Sequence, residues 1–140
     1  MAVVASAAAL VLCTACSGSS SDSDEARASK VVAGVTAADS RVVSASAKQS
    51  VSGFSFGWLI DLVLSGDAPV SSKELSAVLL AARHAGDPDP GHLYLYATDE
   101  AGASLDLSTA ASELGIRYST MGDGIGVVRD AIDDALGTGR

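Results

Sequence analysis

The spacing of apolar residues changes period several times along the chain, and each change marks an element. After an apolar or small stretch from Ala2 to Ala15, the sequence turns polar over Ser17 to Asp24. It then places Ala28, Val31, Val32 and Val35 at the i, i+3, i+4, i+7 spacing of one helical face, interrupted by Gly34. From Arg41 the period drops to two: Val43, Ala45, Ala47 and Val51 share one side and Ser44, Ser46, Lys48 and Ser50 the other, the pattern of a half-buried strand. The run FSFGWLIDLVL alternates again, with Phe54, Phe56, Trp58, Ile60, Leu62 and Leu64 opposed to Ser55, Gly57 and Asp61. A two-residue turn at Ser52-Gly53 would pair Val51 with Phe54, Ala47 with Trp58, Ala45 with Ile60 and Val43 with Leu62, apolar face to apolar face.

The strongest helix signal follows. Ser71 stands three residues before Glu74 as a capping box, Val70 is placed to staple against Leu75, and Leu75, Val78, Leu79 and Ala82 form the buried face. Gly86 and the segment Asp87-Pro88-Asp89-Pro90-Gly91 stop it. From His92 to Thr98, Leu93, Leu95 and Ala97 oppose Tyr94 and Tyr96, and a turn at Gly102 leads to a short strand near Ser104-Leu105 as a second hairpin. Asp106 caps a short helix bearing Leu107, Ala110, Ala111 and Leu114 and stopped by Gly115, Ile116 to Met121 reads as a strand, and Val128, Ala131, Ile132 and Ala135 mark a C-terminal helix. This order predicts an α+β two-layer sandwich, a mainly antiparallel sheet of about four to five strands with helices on one face. It is loosely similar to ferredoxin-like modules, a topology that hosts unrelated functions.

With 140 residues, a leader and a linker leave room for one domain, expected over 25–140. Every charged residue lies at or beyond Asp22, so the net charge of −8 belongs to that domain and its linker. The basic residues are scattered singly among more numerous acids, which excludes a nucleic-acid footprint and argues against electrostatic binding to anionic lipid.

Membrane attachment has another candidate. The apolar run before Cys13 and Cys16 is shorter than the roughly 20 residues that span a bilayer and suits a signal-peptide core. The stretch LCTACSGSSSD resembles the lipobox of bacterial lipoproteins, with Thr14 and Ala15 as the small residues before Cys16. The few lysines and absent asparagine fit a high-GC bacterial source. The resemblance covers about the first 22 residues and implies a signal peptide over 1–15, a diacylglyceryl group on Cys16 and a location on the extracytoplasmic side of the cell membrane. Two features depart from the motif: Cys13 stands where Leu is usual, and no basic residue precedes the apolar run, which points to a start upstream of Met1. A secretory peptide cut near Ala15 without lipidation, a buried N-terminal helix and a Cys13–Cys16 disulfide are the alternatives. Residues 16–24, rich in Ser and Asp, are expected to form a flexible tether.

No motif identifies a reaction. Gly122-Asp123-Gly124-Ile125-Gly126 lacks the third glycine of a dinucleotide loop, where Val127 stands, and the Lys of a P-loop, and reads as a flexible turn. His84 and His92, with Asp87 or Asp89 between them, lack metal-ligand spacing and read as surface residues. Asp130, Asp133 and Asp134 read as the solvated side of a helix. No Gly-x-Ser-x-Gly elbow occurs. No catalytic residue, cofactor or metal is therefore assigned. Tyr94 and Tyr96 are the candidate partner contacts if their sheet face is uncovered, and the N-terminal helix is the alternative cover for them. The expectation is a noncatalytic binding or accessory lipoprotein with an envelope protein or glycan partner. The alternatives are a small-ligand or lipid carrier with Trp58 lining its pocket, and a hydrolase using His84 or His92.

Overall fold

The computed structural model describes residues 19–85 and 88–137. The leader, Cys13 and Cys16, the Gly86 stop and Asp87 lie outside the described residues. The elements run α1 (Ser19–Ala38), β1 (Val42–Ser52), β2 (Ser55–Leu64), α2 (Ser72–Ala85), β3 (His92–Asp99), α3 (Ser108–Glu113), β4 (Ser119–Met121), β5 (Gly124–Val128) and α4 (Arg129–Leu136). The five strands form one sheet in the order β1-β2-β3-β5-β4. The α+β two-layer architecture is as the pattern predicts. One core joins the two layers: Val31 and Val35 of α1, Leu75 and Leu79 of α2 and Ile132 of α4 meet Ile60, Leu93, Leu95 and Ile125 of the sheet, all at most 1% exposed.

The capping box forms in full, with Ser71 N donating to Glu74 Oε2 at 2.8 Å and Glu74 N to Ser71 Oγ at 3.2 Å. Asp106 heads α3 as expected. Its carboxylate accepts Ser108 Oγ and the Ser108 and Thr109 amides, and these bonds, the Ser108 hydroxyl first, hold its pKa down at about 2. Gly34, the break in the α1 pattern, sits where a Cβ would come within 3.2 Å of Ala85, so the glycine lets α1 approach α2 closely.

Four expectations about the elements and their pairing are corrected. First, α1 begins at Ser19 and not at Glu25, so most of the expected tether is helical, and within it Asp24 pairs with Arg27 one turn on at 3.3 Å. Second, the β1–β2 register is displaced by two residues: Ser52 faces Ser55, Val51 faces Phe56, and Ala47 faces Ile60. The turn is Gly53-Phe54, because a two-residue loop needs positive φ at its first central position and Gly53 supplies it at 61°. A two-residue displacement keeps every side chain on its predicted face, which is why alternation alone does not detect it. A bulge between Val42 and Ser44 then leaves Val42 buried and Val43 half exposed.

Third, β3 makes no hairpin with the Ser104 segment. The chain does turn back at Gly102, but the pairing is a single antiparallel bridge from Thr98 to Ser104, with Asp99 N donating to Ala103 O and Leu105 N to Ala97 O. Instead α2 carries the chain over the sheet so that β3 lies parallel to β2, the one parallel pairing among the described strands, with antiparallel β5 on its other side. Fourth, the glycine-rich segment 122–126 is no loose turn. Gly122, with φ at 61°, starts a two-residue turn of the same kind as Gly53, and Gly124–Val128 is an inner strand.

Two arginines hold the connections. Arg41 donates to the carbonyls of Ser65 and Ala68, among others in the β2–α2 loop, and pairs with Glu74 at 3.3 Å. Arg83, 4% exposed, pairs with Asp89 before β3 and with Asp133 on α4, each at 3.2 Å. The Asp133 hydrogen bond outweighs burial and holds the guanidinium more firmly protonated than usual. Asp133 is thus a structural partner and not solvated surface, whereas Asp134 pairs with Arg117 in the open, the two side chains 74% and 76% exposed.

This contrast is measurable. Arg83→Met keeps most of the volume but leaves two carboxylates without their cation, and should cost about 1–3 kcal/mol in denaturant unfolding. Arg117→Met should change stability by less than about 0.5 kcal/mol. Equal effects would show that the buried clamp holds nothing that the exposed pair does not.

Candidate functional site

All the described helices join the same core, so among the described residues no layer lies over the other side of the sheet. Because side chains alternate, that side carries every residue whose neighbour points to the core. On β3 it carries His92, Tyr94 and Tyr96, between core residues Leu93, Leu95 and Ala97. The register sets Gly57, Leu59 and Asp61 of β2 beside them, and Gly126 of β5 beside Tyr94. α1 packs on β1 and α2, so it does not take the role of a cover for the tyrosines.

The row is built on missing side chains. A Cβ on Gly126 would lie 3.0 Å from the Tyr94 ring, one on Gly124 2.7 Å from the Tyr96 ring, and one on Gly57 2.5 Å from the His92 ring. The three rings therefore lean over glycine backbone on neighbouring strands. They remain half-buried at Tyr94 and Tyr96, with one flank against the sheet and the other toward solvent. The His92 and Tyr94 rings meet at 4.9 Å between centroids.

His92 is not the surface residue its place in the sequence suggests. It is 5% exposed, its Nδ1 lies 3.1 Å from Ser55 Oγ, and its Nε2 lies 3.1 Å from Ser50 Oγ. A neutral imidazole donates through one nitrogen and accepts through the other, so two serine hydroxyls satisfy it whichever tautomer it takes. Burial pushes its pKa below the usual 6.5. The hydrolase alternative thus finds a base-to-hydroxyl distance at His92 but no carboxylate on the other ring nitrogen to support an imidazolium. Exposed His84, in the last turn of α2, shows no such contact among the described residues.

The hollows of the molecule are shallow. One open groove of about 620 Å³ runs past the β1–β2 turn and is lined by Phe54, Ser55, Phe56, Asp89, Gly91 and Arg129. A second, about 310 Å³, adjoins the Gly122 turn, and its carboxylates are engaged, Asp123 by Ser104 and Asp106 by the α3 amides. Two carboxylates there oppose an anion, in keeping with the failed phosphate-loop match. The crevice between sheet and α2 holds about 10 Å³, room for about one water where a carrier would need several hundred. Trp58, 1% exposed and edge-on to Phe56 at 5.2 Å, is core. No group of three or more potential metal ligands occurs among the described residues.

Sequence reading found Tyr94 and Tyr96 but missed His92 and the glycines. The signal was present: Gly124 and Gly126 keep the same two-residue period as Tyr94 and Tyr96, the pattern of paired strands and not of a loop.

The burial of His92 sets a pH dependence. Its folded pKa is depressed, so the unfolded chain binds the proton more readily, and stability is complete above about 6.5 and falls as the pH drops through the folded value. Asp106, held at about 2, loses its contribution only below about 4, a separate window. Melting temperature should therefore fall between pH 7 and pH 5, and His92→Gln should flatten that slope. An unchanged slope in the variant would mean that His92 does not titrate out of register with the unfolded chain.

No protein-family model matches the chain, and no curated protein and no solved structure matches it either, so its function has to be argued from these residues.

Proposed function

We propose that the chain is a noncatalytic binding module of the cell envelope. It is held on the extracytoplasmic side of the membrane by a lipid on Cys16, and it engages a glycan of the envelope through the uncovered face of its sheet. The observation that carries this reading is the row of Tyr94 and Tyr96, set over Gly126 and Gly124 on a sheet face that none of the described helices covers. Tyrosine rings offer an apolar flank and a polar tip, the combination that enriches them at binding surfaces. Around them the face is little charged: Ser46, Lys48, Ser50, Asp61, Thr98 and Ser119 supply hydroxyls and one charge of each sign, with the half-buried Leu59 and Val63 among them. This suits a hydroxyl-rich neutral ligand better than a polyanion, which the net charge of −8 repels.

The lipid supports the reading from the other end of the chain. Among the described residues no helix is long and apolar enough to cross a membrane, and the lipobox-like stretch at Cys16 supplies an anchor that needs none.

Both halves are open to one experiment on the mature protein recovered from membranes. Its N-terminal peptide should begin at Cys16 with the mass of a diacylglyceryl group, and Cys16→Ala should abolish both that mass and membrane retention. With the anchor intact, Tyr94→Ala together with Tyr96→Ala should weaken co-sedimentation with purified cell wall about tenfold while leaving the melting temperature nearly unchanged. Wall binding that survives the double substitution would remove the tyrosine face from the account. Binding lost after protease treatment of the wall would identify a protein partner instead of a glycan.

A further inference from the structure

β1 is an edge strand of eleven residues, paired among the described residues with β2 on one side only. Edge strands in monomeric proteins are usually blunted by proline, several charges, bulges along their length or a covering segment. Between its initial bulge and the turn, β1 carries one charge, Lys48, and no proline. The pair Ser52 and Ser55 closes a two-residue turn and so exchanges hydrogen bonds. Counting back by twos, Val51, Gln49, Ala47 and Ala45 direct their N–H and C=O groups outward. Backbone bonds outside the regular ladders reach no residue of β1 beyond Val42 among the described residues.

The exposed apolar side chains gather here as well. Of the large hydrophobic residues with most of their surface in water, Val43, Val51 and Phe54 lie on β1 or its turn, at 50%, 68% and 111% exposure. Val43 and Val51 stand four residues either side of Ala47, the midpoint of the strand.

We propose that a second copy of this chain pairs with β1, antiparallel and centred on Ala47, to give a continuous sheet across a two-fold axis. The proposal goes beyond the binding face described above and does not depend on it. In that register Ala47 faces its own mate, Ala45 faces Gln49, and Val43 faces Val51 twice. Ala45, Ala47 and Gln49 have outward backbone groups, so the ladder closes over the middle of the strand without a further shift, and Val43, in the bulge, adds its side chain beside Val51. On the uncovered face Lys48 of one copy comes opposite Ser46 of the other, whose hydroxyl lies 3.5 Å from Asp61. A strand spacing of about 4.8 Å puts that carboxylate within reach of a lysine side chain passing over a serine. Neither Lys48 nor Asp61 has an ion-pair partner among the described residues, so the dimer would pair both charges, twice. Val43 and Val51 stand at equal distances from Ala47, as do Ala45 and Gln49, and the one charge of the strand meets Asp61 of the other copy, so β1 fits itself better than it fits an unrelated segment.

The test is sedimentation equilibrium of the full chain, in mild detergent where it is acylated. The wild type should sediment as a dimer. Val51→Lys, at a position two-thirds exposed, should raise the dimer dissociation constant about tenfold or more with an unchanged thermal melt, since it sets two cations against the opposing strand. Lys48→Glu should weaken the dimer likewise, and Lys48→Glu combined with Asp61→Lys should restore it. A wild type that is monomeric at every accessible concentration overturns the proposal. So does a dimer indifferent to Val51→Lys and Lys48→Glu, because it would use another surface.

Discussion

Four helices gathered on one side of a five-stranded sheet can bury only one of its faces, and every other feature of this molecule follows from that asymmetry. The inner positions of β2 and β3 are filled by Ile60, Leu62, Leu93 and Leu95, none more than 3% exposed, and these form the floor of the core. Among the described residues nothing covers their outward neighbours, and that side is furnished with serines, single charges and tyrosines around the half-buried Leu59 and Val63. The chain stabilises itself through one face of the sheet and, among the described residues, leaves the other open.

The uncovered face is organised by what it lacks. Glycines at 57, 124 and 126 remove the Cβ atoms that would collide with His92, Tyr96 and Tyr94, and the rings settle onto backbone instead of standing free. Held on one flank, the rings would lose less side-chain freedom on binding than mobile surface aromatics would. At one end of the row His92 is fixed by Ser50 and Ser55, which ties β1, β3 and the start of β2 together across the open surface. Behind the sheet Arg83 plays the corresponding part, joining α2, the approach to β3 and α4 through Asp89 and Asp133.

Local signals were legible where a short-range interaction decides the outcome. The Ser71–Glu74 box, the Asp106 cap and the alternation of Trp58, Ile60, Leu62 and Leu64 could all be read because each rests on residues within a few positions of one another. Choices between distant partners could not be read. Periodicity assigns a face but not a neighbour, so it gave no sign that β3 would run parallel to β2 or that the first hairpin would shift by two residues at Gly53. Segment 122–126 misleads for a related reason: glycines that look like a loop in isolation are strand residues once tyrosines on β3 occupy their space. The burial of His92 and Arg83 depends on elements 37 and 50 residues away, beyond any local window. Of the candidate site, the two tyrosines were legible, and the histidine and glycines that set them in place were not.

The most direct test of the one-sided sheet is the relaxation of side-chain protons in solution by a soluble, neutral gadolinium chelate. An open second face predicts strong broadening of the Tyr94 and Tyr96 rings and of the Leu59 and Val63 methyls, with Ile60, Leu93 and Leu95 on the same strands nearly untouched. Equal protection of both sets would mean that something covers the second face, and the claim that it is free to bind would be wrong.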